Sequence, residues 1–174
     1  MLGYIVNLGS NPYGVLTMQY WLMKTEPSVF GIDDLMNCKN RVDHWDGIRN
    51  YQARNMMRDE MKKGDGILLY HSNCKETGVV GLAKVCRNAY PDFTAWDTTS
   101  KYFDPKSSPE NPRWVMVDVK FVKKFSRTIC LTELREQTAL QDMTLLRKGN
   151  RLSIMPVTEI QWQYIVGMEA VGVD

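Results

Sequence analysis

The sequence is poor in the residues that bind metals or build disulfide frameworks. It contains four cysteines and two histidines in 174 residues, and no two cysteines form a C-x-x-C pair. This scatter argues against a zinc site and indicates reduced, partly buried thiols of the kind found in intracellular proteins. We therefore expect no metal and no cofactor.

A long apolar run is also missing. No stretch approaches the ~20 apolar residues that a transmembrane helix needs, so we expect no membrane partner. Residues 1–17 lack the basic start and compact apolar core of a signal peptide, and they carry no charged side chain. Because a strand-like run follows Met18 directly, we expect Met18 to be the working start. Residues 1–17 would then be an extension of a single domain, residues 18–174; an ordered N-terminal arm is the alternative.

Charge of one sign is scarce as well. The formal net charge is +2 and the sequence pI is about 8.3, which is too mild to indicate nucleic acid by itself. If nucleic acid is the partner, the basic groups must be concentrated on one face of the molecule. The length and the ordinary share of apolar residues predict a globular domain that folds without disulfide or metal staples.

The apolar patterns that are present predict short strands separated by helices and long connections. We predict strands at residues 20–24, 67–71, 78–87, 114–125 and 152–155, with Pro156 ending the last. We predict helices at residues 51–63 and after a Thr158–Gln161 capping box, and shorter helices capped by Ser28 or Asp33 and by Thr132. No βαβ unit repeats. The pattern favours an α+β fold with a mixed or antiparallel curved sheet.

One segment combines an aromatic residue, a turn signal, two arginines and several amides at a predicted helix start. It runs from Trp45 to Asn55, and a helix start offers free backbone N–H groups to a phosphate. Arg49 and Arg54 are suited to a phosphate, whereas Asn50 and Gln52 can pair with the edge of a base. Helix capping and a solvated face are the alternative interpretation.

Four further segments carry weaker signals. They are Trp21–Pro27, Tyr70–Asn73, Tyr102–Lys106 followed by Trp114, and Arg151–Pro156. Aromatic residues in a proline-rich loop can stack on a base or simply fix the loop to the core. His71 can act as a general base, but a histidine satisfied by hydrogen bonds fits the sequence better, since no triad partner is evident.

Taken together, the five segments resemble the EVE domain family and occur in the family's order across nearly all of residues 18–170. The resemblance implies a PUA-like fold, a curved β pseudo-barrel flanked by helices. It also implies binding of DNA or RNA that carries modified bases, notably a modified cytosine held in a pocket. No long basic tail supports nuclear targeting, which suggests a cytoplasmic, bacterial member.

The resulting hypothesis is a flipped-out base held in an aromatic and amide pocket, without catalysis. The predicted base pocket comprises Trp21, Glu26, Trp45, Asn50, Tyr51, Gln52, His71, Ser72, Asn73, Tyr102, Trp114 and Ser153. The predicted phosphate ligands are Lys24, Arg49, Arg54 and Arg151. The hypothesis expects Trp21, Trp45, Tyr51 and His71 to converge on one cavity.

Two alternatives stay open at this point. A ribonuclease resembling the ASCH domains would use Lys24, Glu26, His71 and Asp104 as acid–base groups. A pocket for a nucleotide metabolite would use the same aromatic and amide side chains as a base reader.

Overall fold

A six-stranded mixed sheet forms the centre of the fold. The computed structural model describes residues 18–170, so the predicted extension at residues 1–17 lies outside the described residues and remains a prediction. The strands are β1 (Tyr20–Thr25), β2 (Val42–Trp45), β3 (Gly66–His71), β4 (Gly78–Pro91), β5 (Val115–Cys130) and β6 (Ile154–Val157). They are arranged in the order β2-β5-β4-β3-β1-β6. The β1–β3 pair is parallel and the other four pairs are antiparallel.

Helices cover both faces of this sheet. They are α1 (Ile32–Asn37), α2 (Tyr51–Asn55), α3 (Leu131–Glu136) and α4 (Glu159–Ala170). A π-helical turn, Met56–Glu60, continues α2, so the helix predicted at residues 51–63 ends earlier and changes its winding. Within residues 18–170 no helix is long and apolar enough to cross a membrane.

Strands β1 and β3, which pair in parallel, are buried on both faces. Trp21 and Met23 of β1 belong to the core under α1 and α2. Leu22, between them, belongs to a second core under α3 and α4, together with Leu68 of β3. Since successive side chains of a strand point to opposite faces, burial on both sides explains the continuous apolar runs of β1 and β3.

Two of the predicted helix caps are wrong. The N-cap of α1 is Gly31, whose N–H donates to the Asp34 carboxylate at 2.7 Å, rather than Ser28 or Asp33. Helix α3 begins directly after β5 with Cys130 as its N-cap, which places Thr132 inside the first turn. The capping box of α4 is confirmed.

Strand ends also differ from the predictions. Strands β4 and β5 continue to Pro91 and Cys130, because bulges in their pairing let two long strands curve together. Pro156 does not end β6 but pairs opposite Trp21 on an edge strand, where proline is tolerated. Strand β2 was not predicted, since its four residues show no apolar alternation.

Gly81 gives the first testable prediction, because β4, β5 and α1 approach one another closely at this position. A Cβ atom on Gly81 would lie 2.3 Å from the Lys123 carbonyl oxygen and 2.5 Å from Ile32 Cδ1. We expect Gly81→Ala to lower the free energy of unfolding by about 2–3 kcal/mol through overpacking. Thermal melting measures this loss of stability.

Gly167 supplies the matched control for this substitution. It lies in α4, and a Cβ atom added there would meet nothing within 4 Å, so Gly167→Ala should stabilise the helix by ~0.5–1 kcal/mol. Equal melting temperatures for the two variants would contradict the tight packing of α1 on the sheet.

Candidate functional site

A cavity of about 470 Å³ lies where the ends of β1 and β2 meet the irregular stretch between β4 and β5. This volume is in the range of small-ligand sites, ~300–1,000 Å³. The cavity is lined by Lys24, Thr25, Glu26, Val29, Phe30, Asp43, His44, Trp45, Asp46, Gly47, Ile48, Lys101, Tyr102 and Ser153. Its walls therefore come from four separate stretches of the chain.

Aromatic rings form one part of the cavity wall. Phe30 and Trp45 meet edge to face, with ring centres 6.4 Å apart and planes at 89°. Trp45 is almost fully buried at the end of β2, while Tyr102 is half-buried on the irregular stretch. The arrangement gives a planar ligand apolar surfaces against which to stack.

Ionisable side chains form another part of the wall, and carboxyl groups outnumber lysines among them. Burial raises the pKa of Asp46, and the negative charge of Asp92 raises it further. Burial lowers the pKa of Lys24. With Glu26 and Asp43 also present, the lining offers several oxygen acceptors to a ligand that carries hydrogen-bond donors.

Asp92, directly after β4, anchors the segment that carries Asp46. Its carboxylate is fully buried. It accepts hydrogen bonds from the Gly47 N–H at 3.1 Å, from Arg49 Nη1 at 2.8 Å, and from the N–H and hydroxyl of Thr94. A buried carboxylate is stable only when it is paired and hydrogen-bonded in this way.

Arg49 extends this anchor to Tyr102. Its Nε donates to the Tyr102 carbonyl oxygen at 2.8 Å, and Nη2 donates to the same oxygen. Nη1 bonds the Ile48 carbonyl oxygen as well as Asp92. Arg49, a predicted phosphate ligand, thus donates its hydrogen bonds within the protein. There it holds Tyr102 beside the cavity.

Gly47 allows that contact to form. Its φ is +74°, and a Cβ atom there would lie 2.5 Å from Tyr102 Cζ. Only glycine adopts this conformation without strain and leaves room for the ring. The Asp46-Gly47 pair predicts a turn, but the structure shows only the positive φ of Gly47, and residues 46–50 form an irregular connection without a turn.

The expected convergence of Trp21, Trp45, Tyr51 and His71 on one cavity is wrong, because only Trp45 lines it. Trp21 is fully buried in the core, where its indole N–H donates to Asp65 at 3.0 Å. His71 accepts a hydrogen bond from the Ile32 N–H at 3.1 Å and so caps α1, and burial lowers its pKa.

Tyr51 and Trp114 lie outside the cavity lining and stack on each other. Their ring centres are 4.9 Å apart, with planes at 28°. Asn50 is the N-cap of α2, since its side-chain oxygen accepts from the Ala53 N–H at 3.0 Å. Gln52 is exposed and lines a separate groove.

The remaining predicted residues divide between the cavity and its surroundings. Lys24, Glu26 and Ser153 line it. Asn73 donates to the Glu26 carboxylate at 3.2 Å, and Ser72 donates to the Thr25 carbonyl oxygen, so both support the wall from outside the lining.

Neither of the other predicted phosphate ligands lines the cavity. Arg54 donates to the Arg113 carbonyl oxygen at 2.9 Å and to Asn55. Arg151 is exposed next to the stretch that carries Ser153.

Several lining residues were not predicted. Phe30 and Val29 follow the first motif, and Asp43 and His44 belong to the unpredicted strand β2. Asp46 belongs to the segment Trp45–Asn55. There the Asp-Gly pair predicts a backbone turn and gives no signal that the carboxyl group faces a cavity. Among residues 18–170 no group of three or more His, Cys, Asp or Glu side chains is placed to hold a metal ion.

Arg49 gives the second prediction. Lysine cannot reproduce the planar fork that bonds Asp92 and the Tyr102 carbonyl oxygen together. We therefore expect Arg49→Lys to lower the free energy of unfolding by about 2–3 kcal/mol, measured by thermal melting, whereas the exposed control Arg151→Lys leaves it unchanged. An unchanged melting temperature with weaker, less salt-dependent nucleic-acid binding would instead support the predicted phosphate contact.

Proteins of known sequence and structure resemble this chain over most of its length. A model of the EVE domain matches residues 19–168. Thymocyte nuclear protein 1 of Danio rerio is 42% identical, in a match that covers 86% of this chain and 71% of that protein.

Two solved structures extend the comparison. A hypothetical protein from Leishmania major is 51% identical with a TM-score of 0.84, covering 88% of this chain and 96% of that chain. Human THYN1, solved in complex with DNA containing 5-methylcytosine, is 41% identical with a TM-score of 0.80, covering 87% and 97%. The human protein has a PUA-like fold, which confirms the predicted α+β fold class. The chain belongs to the EVE domain family.

Proposed function

We propose that this protein is a nucleic-acid-binding domain that holds one modified base, a modified cytosine, in the cavity beside Trp45. The observation that carries the proposal is a cavity of base-binding size whose wall combines aromatic rings with a half-buried carboxyl group, that of Asp46. Human THYN1, which shares this fold at 41% identity, was solved with DNA containing 5-methylcytosine. That complex supports the same class of ligand here.

The cavity chemistry matches the edge and faces of a cytosine. Stacking of a base on aromatic side chains contributes ~1–3 kcal/mol per base. Carboxyl groups accept hydrogen bonds from the amino group of cytosine. Because the pKa of Asp46 is raised, its carboxyl group retains a proton more readily and can also donate to the ring nitrogen beside that amino group.

A base methyl group fits the apolar part of the wall. Val29, Phe30 and Ile48 lie beside the polar groups in the lining. Burying one methyl contributes ~0.8 kcal/mol, which corresponds to a few-fold preference for the methylated base. A modest preference for methylation on top of strong recognition of cytosine is therefore the expected pattern.

The base must leave its stack to reach the cavity. Extrusion costs a few kcal/mol, which stacking and hydrogen bonding can offset. The phosphates stay outside, because the carboxylates of Glu26 and Asp43 in the lining repel them. The cavity thus selects the base and leaves the backbone at the surface, in DNA or in RNA.

We propose binding without catalysis, because the candidate acid–base groups are separated. Only Lys24 and Glu26 of that set line the cavity. His71 caps α1, and Asp104 accepts a hydrogen bond from the Trp114 indole at 2.7 Å. The cytoplasmic, bacterial origin suggested by the sequence remains a prediction.

Lys24 tests the ribonuclease alternative. We expect RNA incubated with the wild-type protein to stay intact to the same extent as RNA incubated with Lys24→Ala, measured by gel analysis of product. RNA cleavage that depends on Lys24 would contradict the binding proposal and favour an ASCH-like ribonuclease. Stabilisation by free nucleotides but not by oligonucleotides in thermal-shift assays would favour a metabolite pocket.

Asp46 tests the base-binding proposal directly. We expect the wild-type protein to bind an oligonucleotide with one 5-methylcytosine a few-fold more tightly than its unmodified counterpart. Asp46→Ala removes the pairing group and should cost about 1–3 kcal/mol of binding, roughly 5- to 150-fold. Fluorescence anisotropy at two salt concentrations measures both effects. Equal, negligible binding of both oligonucleotides by the wild-type protein would defeat the proposal.

The pH dependence of binding shows whether Asp46 donates a proton to the base or only contacts it. As the pH rises through the raised pKa of Asp46, the carboxyl group loses the proton that it donates, so wild-type affinity should fall. Asp46→Asn keeps one donor and one acceptor at every pH and should show a flatter profile. Parallel profiles for the two proteins would show that Asp46 donates no proton to the base.

A further inference from the structure

We propose that the stacked rings of Tyr51 and Trp114 form a second base-binding surface, which holds the nucleotide next to the one in the cavity. We call these two residues the stacking platform. The inference rests on the proposed function, because it requires a nucleic-acid strand whose modified base occupies the cavity. It extends the site from one base to at least two.

The platform combines a fixed ring with an exposed one. Trp114 is only 5% exposed, whereas Tyr51 is 51% exposed, and their planes are 28° from parallel. The Trp114 indole N–H is held by Asp104 at 2.7 Å. A large ring exposed to water but already oriented by a buried neighbour loses little side-chain freedom on binding, which favours affinity.

The charge beside the platform identifies its occupant. The Arg54 guanidinium carbon lies 4.8 Å from the centre of the Tyr51 ring and 6.0 Å from that of Trp114. Hydrogen bonds to the Arg113 carbonyl oxygen and to Asn55 hold it in place. A cation next to an open aromatic face fits a base with its attached phosphate, which supplies both a ring and a negative charge.

The platform is adjacent to the cavity through one side chain. The Arg49 guanidinium carbon lies 5.4 Å from the Trp114 ring centre and 5.6 Å from the ring centre of Tyr102, which lines the cavity. Its bonds to Asp92 and the Tyr102 carbonyl oxygen fix this spacing. A strand with splayed bases can therefore place one base in the cavity and its neighbour on Tyr51.

The arrangement predicts that the contribution of Tyr51 depends on a base next to the modified cytosine. A single-stranded trinucleotide with a central 5-methylcytosine offers such bases, and the same trinucleotide with abasic flanking sugars keeps the phosphates without them. For the wild-type protein we expect the abasic flanks to weaken binding about tenfold, the effect of losing one stacked base. Fluorescence anisotropy or calorimetric titration measures it.

Substitutions of Tyr51 complete a cycle with these two ligands. Tyr51→Leu still covers Trp114 but offers no ring, so it should bind the full trinucleotide about tenfold more weakly than wild type and be insensitive to the abasic flanks. Tyr51→Phe should behave like wild type. Tyr164→Ala serves as the matched control, since Tyr164 is an exposed tyrosine on α4 whose hydroxyl donates to Gln137.

The outcomes separate the two proposals. Two outcomes overturn the platform proposal and leave the cavity proposal standing, provided that the wild-type protein binds the central 5-methylcytosine. In the first, Tyr51→Leu weakens binding of both trinucleotides by the same factor. In the second, Tyr51→Leu weakens binding of neither trinucleotide. If the wild-type protein binds neither trinucleotide, both proposals fail. Sensitivity to abasic flanks that disappears only in Tyr51→Leu supports the platform.

Discussion

The candidate site depends on the buried carboxylate of Asp92. A carboxylate removed from water must have all its hydrogen-bonding capacity satisfied, because an unpaired buried charge costs several kcal/mol. Here the donors come from Gly47, Arg49 and Thr94, which lie on two stretches that are distant in sequence. Satisfying this one group therefore fixes the segment Asp46–Arg49 beside the cavity, and Arg49 also holds Tyr102 by hydrogen bonds to its carbonyl oxygen.

The proposed function assigns base recognition and charge neutralisation to different parts of the surface. The cavity is rich in carboxylates and is suited to the amino-bearing edge of a base, whereas Arg54 lies outside it beside Tyr51. This separation explains why a net charge of only +2 is compatible with a nucleic-acid partner. Selectivity in such a site comes from the shape and hydrogen bonding of one base, while the backbone contributes general affinity.

The sequence predicted strands β1 and β3 well and the site only in part. Burial on both faces of β1 and β3 leaves strong apolar runs, whereas the four-residue strand β2 is created by pairing with β5 and has no local signal. Four of the five motif segments contribute residues to the cavity lining, and Tyr70–Asn73 contributes none. Which side chains face it depends on contacts between residues far apart in sequence, such as Arg49 with Tyr102. Local sequence patterns could not show that Trp21 is buried in the core or that Tyr51 stacks on Trp114.

The origin of the cavity walls in four distant stretches has a consequence for folding. The cavity is complete only when β1, β2, β5 and β6 are assembled, because its lining comes from residues 24–30, 43–48 and 101–102 and from Ser153. Because the complete lining needs all four stretches, occupancy of the cavity and global folding are thermodynamically linked. A ligand that enters the pocket stabilises the entire domain against unfolding by mass action, not one loop of it.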